Sequence, residues 1–159
     1  MIKILIVEDE KPISDLIRLS LGKSGYDCDC AYDGMSAADM LDENIYDLVL
    51  LDIKTMNTQL YPKLTGVQQK SNLEFLEQLQ RRNVKTWIRH VVVPGLTDDD
   101  EWLDKLGEHV AKYDCVEKIE ILPYHTLGEF KYKNLGLKYS LDGVLPLSAE
   151  RAKQIRERL

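Results

Sequence analysis

The stretch Asp47-Leu48-Val49-Leu50-Leu51-Asp52-Ile53-Lys54 decides the fold of this chain. Its four consecutive apolar residues, Leu48 to Leu51, run into the acid Asp52, the pattern of a parallel strand whose two faces are both covered. Working outward, apolar runs of strand length stand at Ile2 to Val7, Trp87 to Val93 and Ile119 to Leu122, with a weaker one at Tyr26 to Ala31. Helical periodicity fills the gaps. Ile13, Leu16, Ile17 and Leu21 recur at helical spacing behind Pro12, and Gly25 can supply a left-handed stop. A second helix is expected from Met35 to Asn44, capped by Asp33 or Ser36. A third opens at Ser71, with Glu74 completing a capping box and Leu73, Leu76 and Leu79 facing inward. A fourth opens at Thr97, where Asp98, Asp99 and Asp100 suit the first turn of a helix better than a metal site. A last helix follows Ser148.

The alternation predicts an α/β fold, a five-stranded parallel sheet flanked by helices in the flavodoxin-like order 2-1-3-4-5. The alternative is an open half-barrel that dimerises to bury its sheet edges. With 159 residues, 44% of them hydrophobic, one merged domain over residues 1–159 is expected. The connections Lys54 to Lys70 and Pro123 to Leu147 are longer than such units usually carry. Both leave the C-terminal ends of strands, where open sheets place their ligands.

A net charge of -6 argues against nucleic acid and anionic membranes as partners, since phosphate binding needs clustered cations. No apolar run is long enough to span a membrane, and a cytoplasmic chain with no obligatory partner is expected. Cys28, Cys30 and Cys115 cannot all pair. The first two share one face of a strand, which suits burial better than bridging.

Residues 1–53 resemble a response-regulator receiver domain through Ile4-Leu5-Ile6-Val7-Glu8-Asp9-Glu10, Tyr32-Asp33-Gly34 and the strand ending in Asp52. The resemblance implies that Asp52 is a phosphoryl acceptor and that Glu8, Asp9 and Asp52 form an acid pocket for Mg²⁺, a hard cation that prefers oxygen ligands. The family's Ser or Thr after its fourth strand and its Lys before Pro after the fifth have no counterpart in Val92-Val93-Pro94-Gly95 or Ile121-Leu122-Pro123. Weak Mg²⁺ binding with poor or absent phosphorylation is therefore expected.

Residues 51–159 resemble the pyruvate formate-lyase activating enzyme, a radical S-adenosylmethionine (SAM) family. The resemblance is carried by Leu51-Asp52-Ile53-Lys54, Leu64-Thr65-Gly66-Val67, Trp87-Ile88-Arg89-His90-Val91-Val92-Val93-Pro94-Gly95 and Leu122-Pro123-Tyr124-His125-Thr126-Leu127-Gly128. It implies that Asp52, Lys54, Arg89 and His125 stand where that family contacts SAM or its peptide substrate. Structural roles remain open beside this: His125 as a loop residue without a ligand, and Arg89 as the partner of Glu120 or Asp52. The C-x₃-C-x₂-C motif that holds the family's iron-sulfur cluster does not occur in this sequence. The expectation is a fusion of two half-domains made by design: no native catalytic activity, no required cofactor, no iron-sulfur cluster, and a possible weak Mg²⁺ pocket. A phosphoryl-accepting receiver-like module and a residual SAM or peptide binding face are the alternatives.

Overall fold

The computed structural model describes residues 1–65, 69–124, 134, 136, 141 and 143–159. Five strands, β1 (Lys3–Val7), β2 (Asp27–Ala31), β3 (Leu48–Asp52), β4 (Thr86–Val92) and β5 (Val116–Pro123), form one parallel sheet in the order β2-β1-β3-β4-β5. The helices are α1 (Lys11–Lys23), α2 (Gly34–Glu43), α3 (Tyr61–Thr65), α4 (Gln69–Arg81), α5 (Asp100–Val110) and α6 (Ala149–Arg158). The flavodoxin-like order expected from the strand at Asp52 is the one observed.

Side chains alternate across each strand, and the two faces of the sheet are covered unequally. On one face Leu5, Val7, Val49, Leu51 and Ile88 pack with Ala37 and Leu41 of α2, Phe75, Leu76 and Leu79 of α4, and Leu106 and Val110 of α5. Val92, which shares that face of β4 with Ile88, meets Leu103 of α5 and Ile155 of α6. On the other face Ile4, Ile6 and Leu50 are met by Ile17 and Leu21 of α1. Among the described residues, four long helices thus serve one face and one serves the other.

Several helix ends follow side-chain capping. Asp33 caps α2 by accepting from the Ser36 amide at 2.6 Å, and Ser148 caps α6 by accepting from the Arg151 amide at 3.1 Å. Gly25, at φ +91°, makes the left-handed stop after α1. The start of α5 differs from expectation. Asp99 is its cap, accepting from the Glu101 and Trp102 amides. Thr97 is drawn away from that role because its hydroxyl donates to the Val91 carbonyl at 2.9 Å and accepts from the Val93 amide at 2.7 Å. The connection after β3 also carries more order than expected. Asn57 accepts from the Gln59 and Leu60 amides, which starts the short helix α3, and α4 begins at Gln69 rather than Ser71. After β5, the Leu147 amide donates to the Tyr124 carbonyl at 3.0 Å, so the two ends of that long connection meet.

Candidate functional site

The parallel register brings β1 and β3 to a common C-terminal edge, with Val7 paired to Leu51. Glu8 and Asp9 leave the first strand there, and Asp52 ends the neighbouring one. Lys54 lies two residues past Asp52, so alternation returns its side chain to the same side. Its ammonium reaches Glu8 at 3.0 Å, Asp52 Oδ2 at 3.3 Å and Asp9 at 3.4 Å, with Glu10 at 3.9 Å. The Glu8 and Asp52 side chains are 1% and 5% exposed, and that of Lys54 12%. The three acids expected at this edge do converge, and what they converge on is Lys54.

A second cation reaches Asp52 from the other direction. Asp52 on β3 is in register with Arg89 on β4, which is in register with Glu120 on β5. Arg89 Nη1 lies 3.4 Å from Asp52 Oδ1, and its Nε lies 3.6 Å from Glu120. Each carboxylate oxygen of Asp52 therefore faces a different cation. Five carboxylates, those of Glu8, Asp9, Glu10, Asp52 and Glu120, stand around these two cations, so negative charge is in excess. Burial, then hydrogen bonding and charge repulsion from Glu8, push Asp52 well above the usual carboxylate range, against the pull of Lys54 and Arg89. Burial also lifts Asp9, to about 7, with Lys54 opposing and Glu8 and Glu10 assisting. Burial alone would raise Glu8 as well, but hydrogen bonding to Asp52 and the nearby Lys54 ammonium carry it down to about 2. Burial would lower Lys54, yet the acids around it, Asp52 foremost, hold its proton far more firmly than usual.

Two groups beneath the pocket escaped the sequence reading. Asn72 on α4 donates to the Tyr61 hydroxyl at 2.9 Å and to the Asp52 carbonyl at 3.4 Å, and accepts from the Gly34 amide at 2.9 Å. His90, on the opposite face of β4 from Arg89, is buried with Nδ1 2.8 Å from the Ile53 carbonyl. A carbonyl only accepts, so Nδ1 carries the proton and Nε2 is a bare acceptor; among the described residues it has no hydrogen-bond partner. Burial keeps this ring neutral by lowering its pKa. Its only sequence signal was a histidine at an inward position of an apolar strand. His125, expected at the site, lies outside the described residues.

The donor chemistry of Glu8, Asp9 and Asp52 would suit Mg²⁺, but the residues as arranged do not fit it. Oxygen–magnesium distances are roughly 2.0–2.1 Å. The space between these carboxylates is taken by an ammonium at 3.0–3.4 Å. Among the described residues no group of three or more His, Cys, Asp or Glu side chains is disposed to hold a metal. The thiols do not form one ligand set either: Cys28 and Cys30 lie on β2, and the buried Cys115 immediately precedes β5, at the opposite edge of the sheet.

Fold and pocket together define a receiver-type α/β protein. The chain belongs to the response regulator receiver domain family, whose profile matches residues 4–101. It is also similar to pyruvate formate-lyase activating enzymes. It is 46% identical over 112 residues to the pyruvate formate-lyase 1-activating enzyme of Escherichia coli K12, covering 70% of this chain and 46% of that protein. To the activating enzyme of Staphylococcus epidermidis it is 49% identical over 108 residues, covering 68% and 43%. The chain thus spans about half the length of the curated relatives it matches. Solved structures of both kinds share the fold. A domain of the pyruvate-formate lyase-activating enzyme from Bacteroides vulgatus superposes with TM-score 0.66 at 18% identity, covering 97% of this chain and 91% of that one. The response regulator TrrA from Thermotoga maritima, in complex with Mg²⁺ and BeF, superposes with TM-score 0.54 at 22% identity, covering 87% and 100%. The receiver-like and activase-like character expected from the sequence is therefore present in the comparisons taken together.

Two expectations are corrected by these similarities. Relatives at 46–49% identity are named activating enzymes, which overturns the reading of the chain as a non-enzyme. That family works with SAM and an iron-sulfur cluster, so the expectation of no required cofactor and no cluster is overturned with it. The physical reason is one of extent. The activity and its cluster belong to whole proteins, of which this chain matches 46% in the Escherichia coli enzyme, and the three-cysteine motif does not fall within the matched part. No helix among the described residues is long and apolar enough to cross a membrane.

Proposed function

We propose that the chain is a receiver-type module in which Asp52 accepts a phosphoryl group, with Lys54 and Arg89 as its charge partners. The observation that carries this reading is the placement of two cations on the two oxygens of one buried aspartate, at 3.3 and 3.4 Å. In the transfer, an oxygen of the Asp52 carboxylate forms a bond to phosphorus, and the bond from phosphorus to the donor's leaving group breaks. The leaving group departs with the electron pair and takes its proton from solvent. The new acyl phosphate carries more negative charge than the carboxylate it replaces. Lys54 and Arg89 supply the electrostatic support for which the family uses a lysine after its fifth strand. Only ionised Asp52 is a nucleophile, and its raised pKa makes the reaction favour alkaline pH. Intact-protein mass spectrometry after incubation with acetyl phosphate tests this. One added phosphoryl group, more abundant at pH 9 than at pH 6 and absent from Asp52→Asn, is the expected result; no adduct at either pH refutes the reading.

A second reading is favoured by the same convergence. Asp52, Lys54 and Arg89 stand, by resemblance, where the activating enzymes face SAM or peptide, and the ion pairs draw them together. On this reading the chain supplies the substrate-facing part of an activating enzyme, with one acid and two cations for the amino and carboxylate ends of a zwitterionic ligand. Calorimetric titration with SAM tests it: saturable heat lost in Arg89→Met supports the reading, and no heat opposes it. A fusion made by design at the shared strand β3 accounts for both similarities meeting at Asp52.

A further inference from the structure

We propose that Lys54 is the resident cation of the acid pocket, a tethered ammonium that holds the place of a divalent ion among Glu8, Asp9 and Asp52 and keeps such ions out. The inference concerns the same pocket as the proposed phosphoryl transfer but requires no transfer to occur.

Three observations carry it. First, Lys54 contacts all three acids at once, with Glu10 as a more distant fourth. An exposed lysine in a single surface pair would not be ordered in this way. Second, the position is built by the backbone. The ammonium is carried on a side chain two residues beyond Asp52, and Asp52 ends a strand paired on both sides. The local concentration of this cation is therefore fixed by the fold. Third, the spacing suits nitrogen and not a metal. Distances of 3.0–3.4 Å are those of ammonium–carboxylate pairs. A divalent ion would need the same oxygens to close to roughly 2.0–2.6 Å. A divalent ion would also have to displace a like charge from a site with little access to water, where repulsion between cations is weakly screened.

The consequence is that the pocket is assembled around a cation without metal, and that one side chain separates it from a divalent-cation site. Lys54→Met keeps the stem and its packing while removing the charge. The test measures Mg²⁺ binding by calorimetry and Mn²⁺ binding by paramagnetic broadening of the Glu8 and Asp52 resonances, with no phosphoryl donor present. The inference predicts no saturable binding to the wild type, saturable binding to Lys54→Met that is at least about tenfold tighter than any wild-type binding, and loss of that gain in Glu8→Gln/Lys54→Met. Lys54→Arg, which restores the charge, should again exclude the ions. If Lys54→Met is unfolded without metal, Mg²⁺ should restore its far-UV circular dichroism. Wild-type binding as tight as that of the variant overturns the inference, as does a folded Lys54→Met that gains no binding or an unfolded one that Mg²⁺ does not rescue. Failure here with successful phosphorylation of Asp52 leaves the proposed function standing; the reverse result leaves the resident cation without the transfer.

Discussion

The backbone N–H of Gly34 donates to Asn72 Oδ1 at 2.9 Å, joining the start of α2 to α4 across 38 positions of sequence. The same amide group of Asn72 reaches Tyr61 and the carbonyl of Asp52. One side chain thus ties together a helix of the receiver-like half, a helix of the activase-like half and the end of the strand they share.

This joint should be intolerant of change. A Cβ at Gly34 would collide with the Ser71 carbonyl oxygen, and backbone cannot yield as a side chain would. Gly34→Ala is expected to cost about 1–3 kcal/mol. Asn72→Ala leaves the buried Gly34 amide without its acceptor and should cost about 1–3 kcal/mol. Urea midpoints of the two variants check both values.

Arg89→Met should be more harmful at alkaline than at acid pH. It leaves Asp52 with Lys54 alone and Glu120 with Lys118, an expected loss of about 1–3 kcal/mol near pH 8. At pH 5 Asp52, whose proton is held by burial, needs less compensation, and the loss should shrink. Denaturant unfolding at the two pH values measures the difference; an equal loss at both would show that Asp52 is ionised throughout.

Stability should fall as pH rises from about 4 to about 7. Asp9 has its pKa raised from 3.8 to about 7, so over that window the folded chain binds more protons than the unfolded chain, and raising the pH favours unfolding. Glu8 acts in the opposite sense: lowered from 4.5 to about 2, it contributes stability that is lost as pH falls through that lower range. Lys54, raised above 10.5, contributes stability that is lost only as pH rises beyond that value. Allowing for the partial solvent exposure of Asp9, its effect should be about 1–2 kcal/mol. Asp52, raised well above the usual carboxylate range, acts in the same sense, so Asp9→Asn should lessen the decline between pH 4 and 7 in a thermal-melt series without abolishing it.

Unfolding should be a single transition. The principal core mixes Leu5, Val7, Ala31, Ala37 and Leu41 from the first half with Phe75, Leu76, Leu79, Ile88 and Leu106 from the second. A core shared in this way couples both halves. Fluorescence of Trp87 and Trp102, both in the second half, should coincide with far-UV circular dichroism in urea. Two separated transitions would mean that the halves fold independently.

The strands and the acid edge were legible because apolar runs and strand-end acids are local signals that a parallel sheet sorts to one side. The register was not. Arg89 was expected to pair with Glu120 or Asp52; that it faces both depends on how β3, β4 and β5 slide past one another, which no local pattern fixes. No local pattern places Lys54 against Glu8 and Asp9, and only the convergence of β1 with β3 brings them together. Thr97 looked like a cap because Thr precedes three acids; its hydroxyl is instead consumed by the turn after β4, which hands the cap to Asp99. Asn72 gave no signal, since a polar residue in a first helical turn is ordinarily solvated.

The most direct test of the account is the state of the Lys54 ammonium, observed by ¹⁵N NMR of the lysine side chains at neutral pH without added metal. The account predicts one Nζ resonance with slowly exchanging protons, shifted away from the solvated lysines, coupled to the Glu8 carboxyl carbon and absent from Lys54→Met. The result that would contradict it is a Lys54 signal, assigned by the variant, that exchanges as fast as a surface lysine, which would show that the acids do not close on it.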